Sequence, residues 1–333
     1  MKNKKKILFV HTNFSSFVKT DWEILSKNHQ VTKYQYKPVK GLVKTAIQFI
    51  QQFFYLLFHI WNFDAVFIWF ADYHSFLPVL FAKTTGKKSF VVVGGYDVAN
   101  IPELKYGSLS SPLRKKMTLF CLNNASLCIP VVENLEKRVI EVAPKAITKT
   151  IYTGYKFNLD EKKQFPKDRE KIILTVSITN NRQRFLIKGL DRFRELAEFL
   201  PDFQFIAIGI NEGSVPLFEP LPENLILLPP LSKNKLIDYY LKASFYAQFS
   251  RSEGLPNALC EAMLYGCIPL GTDVGGISVA IDRAGLVLNE WDKKLAARFI
   301  EKNHNNIMRE ALKIQIQNKF DLKYRESKIM EAI

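Results

Sequence analysis

The chain alternates between two kinds of hydrophobic pattern. Near-continuous apolar runs of strand length occur at Lys6–Thr12, Ala65–Phe70, Ser89–Val93 and Leu127–Val131, and Val31–Tyr36 alternates apolar with polar. Between them lie stretches of helical spacing, near Val18–Asn28 and from about Lys40 to Trp61. Apolar strands separated by helices predict a parallel sheet covered on both faces. The segment from Tyr155 to Glu170 breaks the pattern, being polar, lysine-rich and interrupted by Pro166, so a linker is expected over 156–170. The alternation then restarts. Strands are expected at Ile172–Ser177, Gln204–Ile208, Leu225–Leu228, Phe245–Phe249, Ile268–Gly271 and Leu286–Leu288. Helices are expected at Gly189–Leu200, Lys233–Lys242 and Asn257–Tyr265, with mostly helix from Asp292 onward. A length of 333 residues suits two such domains, here 1–155 and 171–305, with a helical segment over 306–333. Doubly wound sheets take ligands beyond the carboxyl ends of their strands, which predicts a site in a crevice between the domains.

One helical segment invites two readings. In Leu42–Trp61 the polar residues Lys44, Gln48, Gln51, Tyr55 and His59 recur at helical spacing, leaving a broad face with Phe49, Phe53, Phe54, Leu57 and Phe58. A spanning helix would lack that polar stripe. The first reading is a helix laid with its aromatic face on the sheet. The second is a helix lying in a membrane interface beside Lys37, Lys40 and Lys44.

Charge favours an anionic partner for the first half. Residues 1–150 hold 21 Lys and Arg against 9 Asp and Glu, a net +12, whereas 151–333 hold 26 against 23, a net +3. A nucleic acid, a membrane surface or a phosphorylated acceptor would each fit, as would charge kept for solubility. No nucleic-acid recognition motif appears, and none is expected as a partner. Cys121, Cys128, Cys260 and Cys267 sit among apolar neighbours at spacings that match no zinc pattern, so they read as buried thiols in a reducing compartment. After the basic Met1–Lys6, the apolar run Ile7–Val10 is too short for a signal peptide. The expected location is cytoplasmic, with peripheral attachment to the inner face of the cell membrane as the extension of the second helix reading.

The chemistry concentrates in Ser250-Arg-Ser-Glu-Gly-Leu-Pro-Asn-Ala-Leu-Cys-Glu261 and its continuation to Gly276. An apolar strand ends near Ser250, a Gly-Leu-Pro turn follows, and a helix starts near Asn257. Such a junction aims backbone N–H groups and the positive end of the helix dipole at one point, which suits a diphosphate. Glu253 and Glu261 flank it, and carboxylates accept from pairs of hydroxyls. That layout matches a nucleotide sugar. Taken alone, the two glutamates would equally serve as a helix-start charge and a surface residue.

The stretch resembles the Glu-x7-Glu signature of retaining glycosyltransferases of family 4 (glycosyl transferases group 1), down to Glu-Gly-Leu-Pro, Glu-Ala-Met, Gly-x-x-Pro and a later Val-Gly-Gly. The resemblance implies an α/β chain of the GT-B fold, two doubly wound Rossmann-like domains facing a deep interdomain cleft. It implies that Glu253 holds the donor sugar, that Glu261 holds the ribose, and that amides from Gly254 through Leu255 and Pro256 to Asn257 surround the diphosphate. A second match, Leu174-Thr-Val-Ser-Ile-Thr followed by Lys188-Gly-Leu-Asp, resembles the family's strand, basic loop and Lys-Gly helix start. It implies donor contacts from Ser177 and Arg182 and catalytic cations at Lys188 and Arg184, which neutralise charge on the departing nucleoside diphosphate. Either arginine can be the one that meets the diphosphate, with Arg184 preferred.

The first domain matches loosely. Val93-Gly-Gly-Tyr-Asp97 follows a strand where relatives carry a histidine near the reacting sugar, which makes Gly95 and Asp97 acceptor-side candidates. The first loop, His11–Ser16, lacks the family's paired glycines and leaves Asn13 as its candidate. Relatives often carry a final helical segment that crosses back onto the first domain, and 306–333 is the candidate for it. The implied activity is transfer of a sugar, with retention and without a metal or other cofactor, from a nucleotide-sugar donor to a glycan or lipid-linked acceptor in surface polysaccharide synthesis. A non-catalytic nucleotide-sugar-binding scaffold partner and a sugar-nucleotide epimerase on the same fold are the alternatives.

Overall fold

The computed structural model describes residues 4–39, 41–155, 166, 168–304 and 309–333. Most of the expected linker, residues 156–165 and 167, lies outside the described residues, as do Lys40 and residues 305–308. The chain forms two compact units, one of Met1–Gly154 with Leu322–Ile333 and one of Tyr155–Asp321.

The first unit runs β1 (Lys6–His11), α1 (Ser16–Asn28), β2 (Gln30–Gln35), α2 (Leu42–His59), β3 (Ala65–Trp69), α3 (Tyr73–Thr84), β4 (Lys88–Val93), α4 (Pro112–Asn124), β5 (Leu127–Pro130) and α5 (Glu133–Val142). Its sheet has the order β2-β1-β3-β4-β5, all parallel, with Ile7 opposite Ala65, Val66 opposite Ser89 and Val91 opposite Cys128. β1, β3 and β4 are buried almost throughout, which is why they read as continuous apolar runs; β2, at the edge, carries the alternating pattern.

The second unit runs β6 (Glu170–Thr179), α6 (Arg182–Ile187), α7 (Leu190–Phe199), β7 (Gln204–Ile210), β8 (Leu225–Leu228), α8 (Lys233–Lys242), β9 (Ala243–Gln248), α9 (Asn257–Leu264), β10 (Ile268–Thr272), α10 (Ile277–Ile281), β11 (Leu286–Leu288), α11 (Lys293–Asn303) and α12 (Arg309–Lys319). Its parallel sheet has the order β11-β10-β9-β6-β7-β8. Phe193, Phe205, Phe218, Phe245 and Phe249 fill its core.

The final helix, α13 (Leu322–Ala332), belongs to the first unit. Its Arg325 is buried and forms a bidentate pair with buried Asp21 of α1, both N···O distances being 2.6 Å. The same guanidinium donates to the carbonyls of Ile151 and Tyr152 at 2.7 and 2.8 Å. The helix α13 is thereby fastened by a buried, hydrogen-bonded charge pair rather than by apolar packing alone.

Two local expectations are corrected. The segment between Thr179 and Lys188, expected as a basic loop, contains α6, whose N-terminus is capped by the Asn181 side chain accepting from the Arg184 N–H at 2.8 Å. The α2 helix matches the first reading only in part: Phe49 turns inward and Lys44, Gln51 and His59 are exposed, but Phe54, Leu57 and Phe58 are also exposed, and Gln48 and Tyr55 turn inward. Its inner side is Thr45, Gln48, Phe49, Gln52, Tyr55 and Leu56, and Gln52 is buried with its amide donating to the His74 carbonyl at 2.9 Å. Its outer side is mostly apolar, with Leu42 90%, Phe58 68% and nearby Trp61 66% exposed, and it also carries Lys44, Gln51 and His59. All four cysteines are free and buried, and burial pushes the thiols of Cys121, Cys128 and Cys260 up to about 12.

Candidate active site

The strand β9 ends in a polar face. Tyr246, Gln248 and Ser250 alternate along it, so their side chains leave the same side of the sheet. The Val176 N–H donates to the Tyr246 hydroxyl at 3.2 Å, and that hydroxyl donates to Gln248 Oε1 at 3.2 Å. Gln248 Nε2 donates to Ser250 Oγ at 2.8 Å. Gln248 Nε2 and Ser250 Oγ each donate to Glu253 Oε1 at 3.0 Å, where the Lys188 ammonium also pairs. One carboxylate oxygen therefore takes three donors, while Oε2 of Glu253 accepts from none of the described residues. Glu253 is thus aimed by its own scaffold with one oxygen left for an external donor.

Lys188 is held as firmly. It follows α6 and precedes Gly189, whose φ of +66° lies in the left-handed region. A Cβ at Gly189 would come within 2.0 Å of the Phe249 carbonyl, so only glycine lets this turn close on the end of β9. Arg251 completes the junction. Its N–H donates to the Ile187 carbonyl at 2.7 Å, and its guanidinium forms a bidentate pair with Asp191 at 2.8 and 2.6 Å. The Lys188 turn and the Glu253 turn are in this way tied together on both sides.

The helix α9 begins at Asn257 after Pro256, and its first intrahelical bond runs from the Cys260 N–H to the Pro256 carbonyl at 3.2 Å. The N–H groups of Asn257, Ala258 and Leu259 have no partner within the helix. The turn before it is clamped from the far side, the Gly276 N–H donating to the Gly254 carbonyl at 2.6 Å. Gly275 must be glycine, because its φ is +56° and a Cβ would lie 2.1 Å from the Glu253 carbonyl. The Asn257 side chain accepts from the Tyr155 hydroxyl at 2.8 Å, which leaves its backbone as the donor.

Glu261 lies one helical turn further on, and the Tyr246 hydroxyl feels the charge of both Glu253 and Glu261. Burial lifts the Glu261 carboxyl above the usual carboxylate range, partly offset by Lys233 at the start of α8. An acid whose folded pKa is raised holds its proton more tightly when folded. Its stability contribution is therefore full at acidic pH and is lost as pH rises through that raised value. Glu261→Gln is expected to raise the midpoint of thermal unfolding of the unliganded protein at neutral pH. It is also expected to weaken donor binding by about ten- to a hundredfold, the worth of hydrogen bonds to a charged acceptor. Calorimetry of unfolding and of binding reads both.

The remaining candidates fall into two groups. Arg184 sits four residues before Lys188, one helical turn away, and its Nε donates to the Ile178 carbonyl at 2.8 Å; Arg182 is exposed on the first turn of α6. Ser177 is not joined to the cluster. Its hydroxyl is buried and pairs with that of Thr179 at 3.2 Å, because the strand is irregular between Val176 and Thr179.

In the first unit, Asn13 is exposed just after β1. Asp97 does not reach outward as expected. It is fully buried and accepts from the N–H groups of Ala71 at 3.2 Å, Gly94 at 3.2 Å and Gly95 at 2.7 Å. Burial pushes its carboxyl up to about 6 against the pull of these donors. It organises the loop around Gly95, whose φ is +113°. Asp97→Ala leaves three donors without an acceptor, two of them buried, and urea unfolding is expected to show a loss of about 2–4 kcal/mol.

Residues 170–305, which carry the whole cluster, match the family model described as glycosyl transferases group 1. These residues form a group 1 glycosyltransferase domain. Solved structures agree over the whole chain. A sucrose-phosphate synthase from Thermosynechococcus elongatus is 14% identical, with a TM-score of 0.76 over 99% of this chain and 98% of that one. HepE from Anabaena, solved with UDP and glucose, is 14% identical, with a TM-score of 0.75 over 98% and 99%. A mutant of S. aureus TarM, solved with fondaparinux, alpha-GlcNAc-glycerol and UDP, is 16% identical, with a TM-score of 0.68 over 85% of this chain and 58% of that one. At such identities the likeness shows the fold, the two-unit α/β fold of GT-B glycosyltransferases. No curated protein matches the chain in sequence. A glycosyltransferase domain on this fold makes the chain an enzyme of glycosyl transfer.

Tyr246 and Gln248 lie outside the motifs that the sequence offered, while Ser250, Arg251 and Asp191 lie within them but carried no assigned role. The alternation Ser244, Tyr246, Gln248, Ser250 was the available signal for the polar face; the pairing of Arg251 with Asp191, 60 positions apart, gave none.

Proposed function

We propose that the chain is a retaining glycosyltransferase of family 4 that moves a sugar from a nucleotide-sugar donor to a glycan or lipid-linked acceptor in surface polysaccharide synthesis, on the cytoplasmic side of the cell membrane. The observation that carries the donor side is the Lys188–Glu253–Gln248–Ser250 cluster, which leaves Glu253 Oε2 uncommitted four residues before the start of α9 at Asn257. The diphosphate lies against the free N–H groups of Asn257, Ala258 and Leu259, where the helix dipole favours negative charge. Glu253 Oε2 takes hydroxyls of the sugar, and Glu261 takes those of the ribose. As the sugar–phosphate bond breaks, Lys188 turns from Glu253 to the leaving diphosphate, with Arg184 one turn away, so transfer runs on protein cations and needs no metal. Glu253, occupied with binding, does not attack the sugar; the donor phosphate takes the acceptor proton. The UDP bound by HepE and TarM supports a uridine nucleotide as the first donor class to try.

The test is a panel of nucleotide sugars incubated with the protein while free nucleoside diphosphate and the sugar anomer are followed. Release of nucleoside diphosphate with a retained anomer is expected. Interconversion of donors without release would mean an epimerase, and saturable binding without turnover would mean a scaffold; either would overturn the reading.

A further inference from the structure

The outer side of α2 presents Leu42, Ile47, Ile50, Phe54 and Phe58 to solvent, and Trp61 continues the row past the helix end. The inner side contains Gln48 and buried Gln52, so the helix packs with its more polar side toward the protein. Burying apolar area is the main driving force of folding, and an 18-residue helix that turns its apolar side outward leaves that force to an external partner. It is nonetheless well anchored. Phe49 stacks on Phe76 of α3 at 6.2 Å, Phe53 meets Phe81 at 5.4 Å, and Tyr55 meets Tyr34 at 4.7 Å. A loosely attached segment would lack these contacts.

The charge around the row selects the occupant. From Ile24 to Phe63 the sequence contains five lysines and no Asp or Glu; Lys37 and Lys44 are exposed around the start of α2, whereas Lys27 pairs with Glu326 of α13 at 2.7 Å. In the same helix layer α3 packs on α4 through Phe76 and Phe120, and α4 exposes Leu113, Lys115 and Lys116. A second copy of this surface would bring like charges together, whereas an anionic lipid headgroup layer would neutralise them. Among the described residues no helix is long and apolar enough to cross a membrane, so the fitting geometry is a helix lying in the interface with Trp61 at the headgroup level.

We infer that the outer face of α2, with Trp61, Lys37 and Lys44, docks the chain onto an anionic lipid bilayer. The inference gives a surface to the membrane placement proposed above and draws nothing from the transfer chemistry. The test floats the full chain with vesicles of phosphatidylcholine containing about one third phosphatidylglycerol, against phosphatidylcholine alone. The anionic vesicles should recruit the protein at low salt. Phe54→Ser combined with Phe58→Ser should lower partitioning at least about tenfold, and Lys37→Glu combined with Lys44→Glu should lower it comparably and flatten its salt dependence. These side chains lie outside the donor cluster, so nucleotide-sugar hydrolysis without vesicles should stay at the wild-type rate, and a failure of docking would be read apart from a failure of the transferase reading. No recruitment at low salt, or recruitment equal in both double variants and wild type, would overturn the inference. So would sedimentation showing a dimer that the two serine substitutions dissociate, which would assign the face to a second copy.

Discussion

Lys188→Ala is expected to lower the turnover number by about 10²- to 10³-fold while changing donor affinity much less. The reason is timing. In the resting protein the Lys188 ammonium pairs with Glu253 Oε1, so its charge is already compensated and adds little to binding of the intact donor. Charge grows on the leaving diphosphate only as the sugar–phosphate bond breaks, and a cation prepositioned for that moment acts mainly on the transition state. Removing it also changes Glu253, whose Oε1 is left with the neutral donors Gln248 and Ser250. The two residues therefore act as a unit, and adding Glu253→Gln to Lys188→Ala should cost far less than the product of the single losses. Rapid-mixing measurements of kcat and donor Kd on the four proteins read this. A loss below about threefold for Lys188→Ala would remove the lysine from the mechanism.

Arg325→Ala is expected to destabilise the protein by about 3–5 kcal/mol, the cost of leaving one partner of a buried ion pair uncompensated. Arg325 and Asp21 have side chains 1% and 0% exposed, and the carbonyls of Ile151 and Tyr152 lose their donor as well. The urea midpoint should fall accordingly, and the Asp21→Ala, Arg325→Ala double variant should be more stable than the sum of the singles predicts. A change under about 1 kcal/mol would mean that the pair is worth no more than a surface salt bridge.

Much of this molecule was legible because its strands are of the buried parallel kind. β1, β3, β4, β7 and β9 are apolar over most of their length, and the helices between them carry their own period, so order and handedness left few arrangements. The strand-turn-helix junction that carries Glu253 was legible for a different reason: the turn and the helix start keep Glu253, Gly254 and Asn257 within a few positions. What was not legible depends on pairings across the sequence. Asp97 could be placed on a loop but not turned inward, because its three donors include Ala71, distant in sequence. The facing of α2 could not be read either, since hydrophobic periodicity says which residues share a side and leaves open which side meets the protein. Here most of the apolar residues face out, while Phe49 and Leu56 face in. Arg325 offered no signal, its partners being 174 and 304 positions away.

The most direct measurement is a crystal structure of the protein with an intact, non-hydrolysable nucleotide sugar. The diphosphate is expected against the amides of Asn257, Ala258 and Leu259, the sugar hydroxyls on Glu253 Oε2, the ribose on Glu261, and the Lys188 ammonium moved from Glu253 toward phosphate. A donor bound elsewhere, with the Lys188–Glu253 pair intact and Glu261 facing away, would contradict it.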